Sequence, residues 1–353
     1  MPLISQPSEV EEIYQEARER GVCLADLCVA HPTAVEAILR AALEFSREHA
    51  ITAIPVIISV TGNYPIESQL ISYTSLHDPF IGLRAFLDDM EGLTAEGSPY
   101  AGLRVMLHLD HAQPEADKDL LPRILDRFAT VMYDASGQPL AENIRRTAAF
   151  VERNHDRVQI EGAVTEIVQA KSQAQRDELT TPEEAERFWR ETGVSLLVCN
   201  LGSEHRATVP IAHYNGEVAR AIQARVGRRL VLHGGSSVPD ATLPTLVQDG
   251  IIKINLWTTF ERAGGQAAAR DALMQLGNIL PADELARLRE AGWLGERFFS
   301  DEYRQEVCSG SLGPKSSVLL EERHRDTWQD AVVARTKFYL GALGYGKFSS
   351  QTT

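Results

Sequence analysis

Arg104-Val-Met-Leu-His-Leu-Asp-His-Ala-Gln-Pro-Glu115 is the stretch from which the rest of the chain can be read. Arg104 to Leu109 has the apolar character of a short strand, and a polar loop follows at once. The strand hands over an acid and an imidazole, Asp110 and His111, side by side at its end. Adjacent strand residues point to opposite faces, but at a frayed end both can turn toward one cavity. A strand-end histidine also serves as a plain hydrogen-bonded residue, so the pair alone decides nothing. Repetition does: Leu196 to Leu201 leads to His205, and Arg229 to Leu232 leads to His233.

The same alternation runs along the chain. With the opening strand taken as Leu103 to Leu109, the further candidate strands are Val22 to Cys28, Ala53 to Thr61, Thr130 to Tyr133, Val158 to Ala163 and Ile251 to Asn255. Between them lie helix-periodic runs such as Thr33 to Glu48, Leu140 to Asn154, Pro182 to Thr192 and Gly216 to Val226. Pro182 after Thr180-Thr181 is a start signal, because proline fits a first helical turn. Eight strands with intervening helices predict a (β/α)8 TIM barrel rather than an open sheet. We expect one domain over residues 1–353, with the barrel at about 20–260 and a helical C-terminal extension at about 261–353. The extension ends in a long helix around Arg323 to Leu343 and reads as a subunit-interface element, which predicts a homodimer or higher homo-oligomer.

Bulk properties limit the function. Hydrophobic content of 44% and charged content of 24% are those of a globular protein. No apolar run approaches the ~20 residues needed to span a bilayer. The acidic, amphipathic start does not suit a signal or transit peptide, so cytoplasm is the default expectation. A net charge of −14 argues against nucleic acid as partner. An anionic small-molecule substrate would need local positive potential from helix N-termini, backbone amides, a metal or placed arginines. The four cysteines, Cys23, Cys28, Cys199 and Cys308, show no CxxC spacing. Buried reduced thiols are the expectation.

In a barrel, active sites lie at the C-terminal strand ends. That rim would carry His111, His205 and His233. Three imidazoles with an open fourth position make a catalytic divalent-metal site, for Zn²⁺ most naturally, although cobalt, manganese and iron also accept such ligands. His233-Gly234-Gly235-Ser236-Ser237 lets backbone amides approach an anion. Lys253-Ile254-Asn255-Leu256-Trp257-Thr258-Thr259 gives another strand-to-helix turn, and these last two loops often form a barrel's phosphate site. Asp134 ends the fourth candidate strand and either orients a ligand or caps its loop. Glu161 lies within a strand, so it is either second to the metal or paired with a base.

These pieces, in this order, resemble the class II, metal-dependent fructose-bisphosphate aldolases, including tagatose-bisphosphate aldolases. The motifs are HLDH, YDxSxxPLxENI, TTPEEAxxFxxxTGV, GSxH, LHGGSS and GIIKIN, from about Ala53 to Thr259. Trp328 and Arg335 match a family Trp-x6-Arg spacing. The resemblance implies zinc, or another divalent transition metal, on His111, His205 and His233. It makes Asp110 the acid that protonates the aldehyde oxygen and Asp134 a second active-site acid. It gives a phosphate cradle of Gly234, Gly235, Ser236, Asn255 and Thr258, with Thr61 in place of a serine. Arg335 resembles an arginine that reaches a neighbouring subunit's phosphate. The implied reaction makes or breaks a carbon–carbon bond in an anionic ketose through an enediolate.

Departures from the pattern are as informative. A family glycine after the second histidine is Arg206, which reshapes the pocket or binds the anion itself. The second glutamate of the fifth-strand motif is Ala163. The base-bearing loop is replaced by TEIVQAKSQAQRDE, leaving Glu166 or Glu178 as substitutes. The acidic position in the eighth-strand turn is Trp257, and a first-strand asparagine is Cys28. The metal and its acid are kept while donor recognition is rebuilt, which predicts a substrate other than fructose bisphosphate. Two alternatives stand beside the lyase: a metal-dependent ketose or ketose-phosphate epimerase on the same site, and a non-catalytic aldolase-like subunit.

Overall fold

The computed structural model of the chain describes residues 3–166, 179–204, 214–319 and 321–349. Among them, parallel strands β1 (Leu3–Ile4), β2 (Leu24–Cys28), β3 (Pro55–Thr61), β4 (Arg104–Ala112), β5 (Thr130–Tyr133), β6 (Gln159–Ala163), β7 (Leu196–Val198), β8 (Leu230–Leu232) and β9 (Ile251–Leu256) form one sheet. Its order is β1-β4-β3-β2-β9-β8-β7-β6-β5, and a further β4–β5 pairing closes β2 to β9 into the expected eight-stranded (β/α)8 barrel. The barrel strands β2, β3, β7, β8 and β9 are buried along their full length, as strands covered on both faces must be.

The helices form where periodicity and caps agree. Pro182–Thr192 begins with a capping box in which Thr181 and Glu184 satisfy each other's backbone N–H, and it ends at Gly193 in the left-handed region. Pro32–Glu48 buries Val35, Ile38, Leu39 and Phe45, each worth about 1.5–3 kcal/mol when removed from water. The amphipathic N-terminal segment is a helix, Pro7–Arg20, that packs Val10, Ile13, Tyr14 and Ala17 inward and meets β6 and β9.

Two strand ends differ from expectation. The run expected to continue to Leu201 stops at Val198, because Asn200 exchanges its backbone hydrogen bonds with Thr180 instead of the next strand. The run expected to stop at Leu109 continues to Ala112, pairing Thr61 with Asp110 and Ala112 with Tyr133.

The chain divides into two compact units. One holds the barrel, up to Thr259, together with the residues from Arg335 on; the other is Phe260–Ala334. The second is helical. In it Gly277 sits where a Cβ would lie 2.7 Å from Cys308 Sγ, and Arg323 makes a two-pronged bridge to Asp271 at 2.6 and 3.0 Å. Among the described residues no helix is long and apolar enough to cross a membrane.

Candidate active site

Asp110 and His111 are brought together by an irregularity in the barrel. The β4–β5 register shifts between Leu109 and Ala112, so β4 carries one extra residue there. His111 takes it up with a positive φ of 49°, a conformation uncommon outside glycine. Both side chains consequently line one cleft of about 530 Å³, which His233 also lines. A frayed strand end was expected; a bulge does the work instead.

His111 Nδ1 lies 2.7 Å from Asp134 Oδ2, and Asp134 also accepts from the Ser136 hydroxyl at 2.6 Å. That contact fixes the ring and makes Nε2 the nitrogen that would face a cation. Tyr64 stacks flat on the same ring, 4.2 Å between centroids and 4° between planes. His233 meets it edge-on at 4.9 Å. Burial opposes the charged form of Asp110, but His111, His233 and His108 outweigh it and hold the carboxyl well below the usual range. Burial likewise opposes protonation of His111, and Asp110 and Asp134 override it to raise its pKa.

Ligand atoms of Asp110, His111 and His233 all lie within 4.8 Å of one another. Two imidazoles and a carboxylate at that spacing suit a divalent transition metal. Two of the three expected ligands are therefore together; the third, His205, lies outside the described residues, as do Arg206 and Glu178.

The expected cradle residues Thr61, Gly234, Gly235, Ser236, Asn255 and Thr258 all line this cleft. Gly234 has a φ of 66° and no room for a Cβ, which would fall 2.7 Å from the Glu204 backbone. On Gly235 a Cβ would meet the Asn255 carbonyl oxygen at 2.8 Å. Asn255 is 6% exposed, and neither atom of its side-chain amide has a hydrogen-bond partner among the described residues. A buried amide left so costs about 1–3 kcal/mol, which a polar ligand in the cleft would relieve. Thr61 is placed differently from a phosphate donor. Its hydroxyl donates to the Glu67 carbonyl and accepts from Gln69 N, so its one proton is already used.

Arg335 does not line this cleft. Its guanidinium grips Asp240 at 2.6 and 2.8 Å and also donates to Thr259 Oγ1 and Tyr339 OH, each at 3.0 Å. Glu161 is paired with a base: Lys253 Nζ lies 2.8 Å from Oε1. Glu166 lines an adjoining cleft of about 660 Å³ with His111, Asp134 and Ala163, and Tyr64 borders both clefts. Trp257 and Cys28, two of the departures, line the first cleft. Sequence reasoning missed Tyr64 and Asp26; an acid inside the apolar run Leu24–Cys28 was the available signal for the second.

All four cysteines are unpaired and buried. Burial pushes the thiols of Cys23 and Cys199 up to about 12 and raises Cys28 as well. At pH 8 the folded protein should leave Cys23, Cys28 and Cys199 unreacted with a disulfide reagent, and urea should expose them. Since these folded pKa values are raised, the stability they contribute is complete below the unfolded value of about 8.5 and is lost as pH rises through the folded values. The urea midpoint should therefore fall between pH 8 and pH 11; an unchanged midpoint would contradict this.

Residues 8–301 match the family described as fructose-bisphosphate aldolase class-II. The chain belongs to the class-II fructose-bisphosphate aldolase family. A fructose-bisphosphate aldolase of Staphylococcus epidermidis is 28% identical over 296 residues, covering 82% of this chain and 93% of that protein. A 6-phospho-5-dehydro-2-deoxy-D-gluconate aldolase of Shouchella clausii is 31% identical over 199 residues, covering 54% and 62%. The fold is similar to the crystal structure of fructose-bisphosphate aldolase from Campylobacter jejuni, with TM-score 0.71, 17% identity and coverage of 97% and 95%. It is also similar to the YdjI aldolase of Escherichia coli K12, with TM-score 0.61, 19% identity and 98% of each chain covered. Family membership and aldolase-named relatives support a lyase.

Proposed function

We propose that this chain is a metal-dependent lyase that makes or breaks a carbon–carbon bond in a phosphorylated or otherwise anionic ketose, other than fructose bisphosphate. The observation that carries the reading is the convergence of Asp110, His111 and His233 in a cleft that also holds the unpartnered amide of Asn255. Zinc, or another divalent metal held by His111 and His233 with His205 as the third ligand, would supply Lewis-acid polarisation of the donor carbonyl.

The chain's own residues do the rest. Asp134 keeps His111 oriented through its Nδ1. Asn255 offers its amide to a donor oxygen. Glu166 is exposed and lines the cleft beside His111, so it is placed to take the donor's α-proton. Asp110, held ionised, takes the hydroxyl proton during cleavage and returns that proton to the aldehyde oxygen in the reverse, condensing direction. The departure from fructose bisphosphate is supported by Thr61, whose proton is engaged, and by Trp257 and Cys28 on the cleft wall.

The test pairs metal analysis of natively purified protein with a screen of ketose mono- and bisphosphates and acidic ketoses, fructose 1,6-bisphosphate included. One divalent metal per chain and an aldehyde product with fewer carbons are expected. An isomeric product would make it an epimerase, and absence of metal would make it a non-catalytic subunit. Asp110→Asn should keep the metal and lose cleavage by about 10²- to 10⁴-fold; full activity in that variant would sink the assignment of the acid.

A further inference from the structure

Below the cleft lies a set of ionisable side chains that the reaction just described leaves unused. Asp26 on β2, His108 on β4, Glu161 on β6 and Lys253 on β9 have no exposed side-chain surface. Lys253 Nζ lies 2.7 Å from Asp26 Oδ2 and 2.8 Å from Glu161 Oε1. His108 Nε2 lies 3.6 Å from Asp26 Oδ2, 3.9 Å from Glu161 Oε2 and 3.8 Å from Asp110 Oδ1. On its other side, Nδ1 is 2.6 Å from Thr130 Oγ1.

Two arguments give this cluster a role. Apolar side chains of similar volume would hold a barrel interior at least as well as buried ion pairs do, so stability does not explain it. The ring orientation is also defined. Nε2 faces three carboxylates, which are acceptors only, so it carries the hydrogen; the Thr130 hydroxyl then donates to Nδ1. At 3.6–3.9 Å the neutral ring's Nε2–H is attracted to the carboxylates as a dipole and makes no short linear hydrogen bond to any of them. Asp110 follows His108 by two positions on the same strand, which places both on one face of β4.

We propose that His108, aimed by Thr130 and anchored by the Asp26–Lys253–Glu161 cluster, is a positioning residue that fixes the carboxylate of Asp110 for proton exchange with the substrate oxygen. The proposal rests on the lyase reading and predicts a step-selective defect. Removing the α-proton of the donor does not involve Asp110, whereas breaking the carbon–carbon bond does.

The test compares wild type with Thr130→Val, which changes only a hydroxyl for a methyl, and with His108→Leu and His108→Gln. Three quantities are read: steady-state cleavage, bound metal, and deuterium exchange of dihydroxyacetone and dihydroxyacetone phosphate in D₂O. Thr130→Val and His108→Leu should lower kcat for cleavage on the order of 10- to 100-fold, with KM, metal content and donor exchange near wild type. His108→Gln, which keeps an N–H donor, should recover part of the loss. Cleavage and exchange falling together, or neither falling, overturns the proposal. If His108→Leu does not fold, Thr130→Val decides alone. If the wild type neither cleaves nor exchanges, the lyase reading itself has failed and the proposal falls with it, an outcome distinct from a variant that differs in no step.

Discussion

His111→Ala should purify without stoichiometric metal and should lose turnover on the order of 10³-fold or more. One imidazole of the set disappears, and Lewis-acid stabilisation worth several kcal/mol goes with it, at 1.36 kcal/mol for each tenfold in rate. Asp134→Asn makes a graded companion. It leaves all the ligands in place but weakens the contact that orients one of them, a change that typically costs about 10- to 100-fold in metal affinity. Metal content after dialysis, measured with turnover, separates the two variants. Equal metal retention in His111→Ala and wild type would remove His111 from the ligand set. Alanine at a φ of 49° also carries a small strain that asparagine tolerates better, so His111→Asn serves as the folding control.

The largest effect on stability should come from Lys253→Met. The ammonium is fully buried between Asp26 and Glu161, and those carboxylates override burial to hold its pKa well above the usual lysine value. Methionine fills a similar volume but leaves two buried carboxylates without their counter-ion. Breaking one side of such a cluster typically costs about 3–5 kcal/mol, against a total stability of about 5–15 kcal/mol for a domain. Urea denaturation of the metal-free protein should show the midpoint falling accordingly. The triple change Lys253→Met with Asp26→Asn and Glu161→Gln should recover part of the loss. A single substitution costing less than about 1 kcal/mol would show that the carboxylates are compensated in another way.

Much of the barrel was legible because its signals are local. Helices Leu140–Asn154, Pro182–Thr192 and Gly216–Val226 have the bounds that periodicity and caps predicted. Asp110, His111 and His233 were legible for the same reason: each sits at the end of an apolar run. The rest depends on partners distant in sequence. Lys253 and Asp26 are 227 positions apart, and nothing in either strand announces the other. Arg335 matched a spacing, but that spacing does not reveal Asp240, 95 positions earlier, closing on its guanidinium. Likewise, no pattern in TGNYPIESQ shows that the Thr61 proton goes to Glu67 or that Tyr64 lies flat on His111.

The bulge in β4 has a consequence for how such a site can change. Asp110 and His111 share one peptide bond between Leu109 and Ala112, both of which pair with β5, and Asp110 itself pairs with Thr61 of β3, so moving either moves the other. The proposed proton-transfer group and the proposed cation ligand thus form a single mechanical part with no independent adjustment. Tyr64, Trp257, Ala163 and Cys28 have no such tie; they stand on separate elements around the clefts. Selection for new ketoses, natural or in a library, should therefore find tolerated diversity at those four positions and almost none between Leu109 and Ala112.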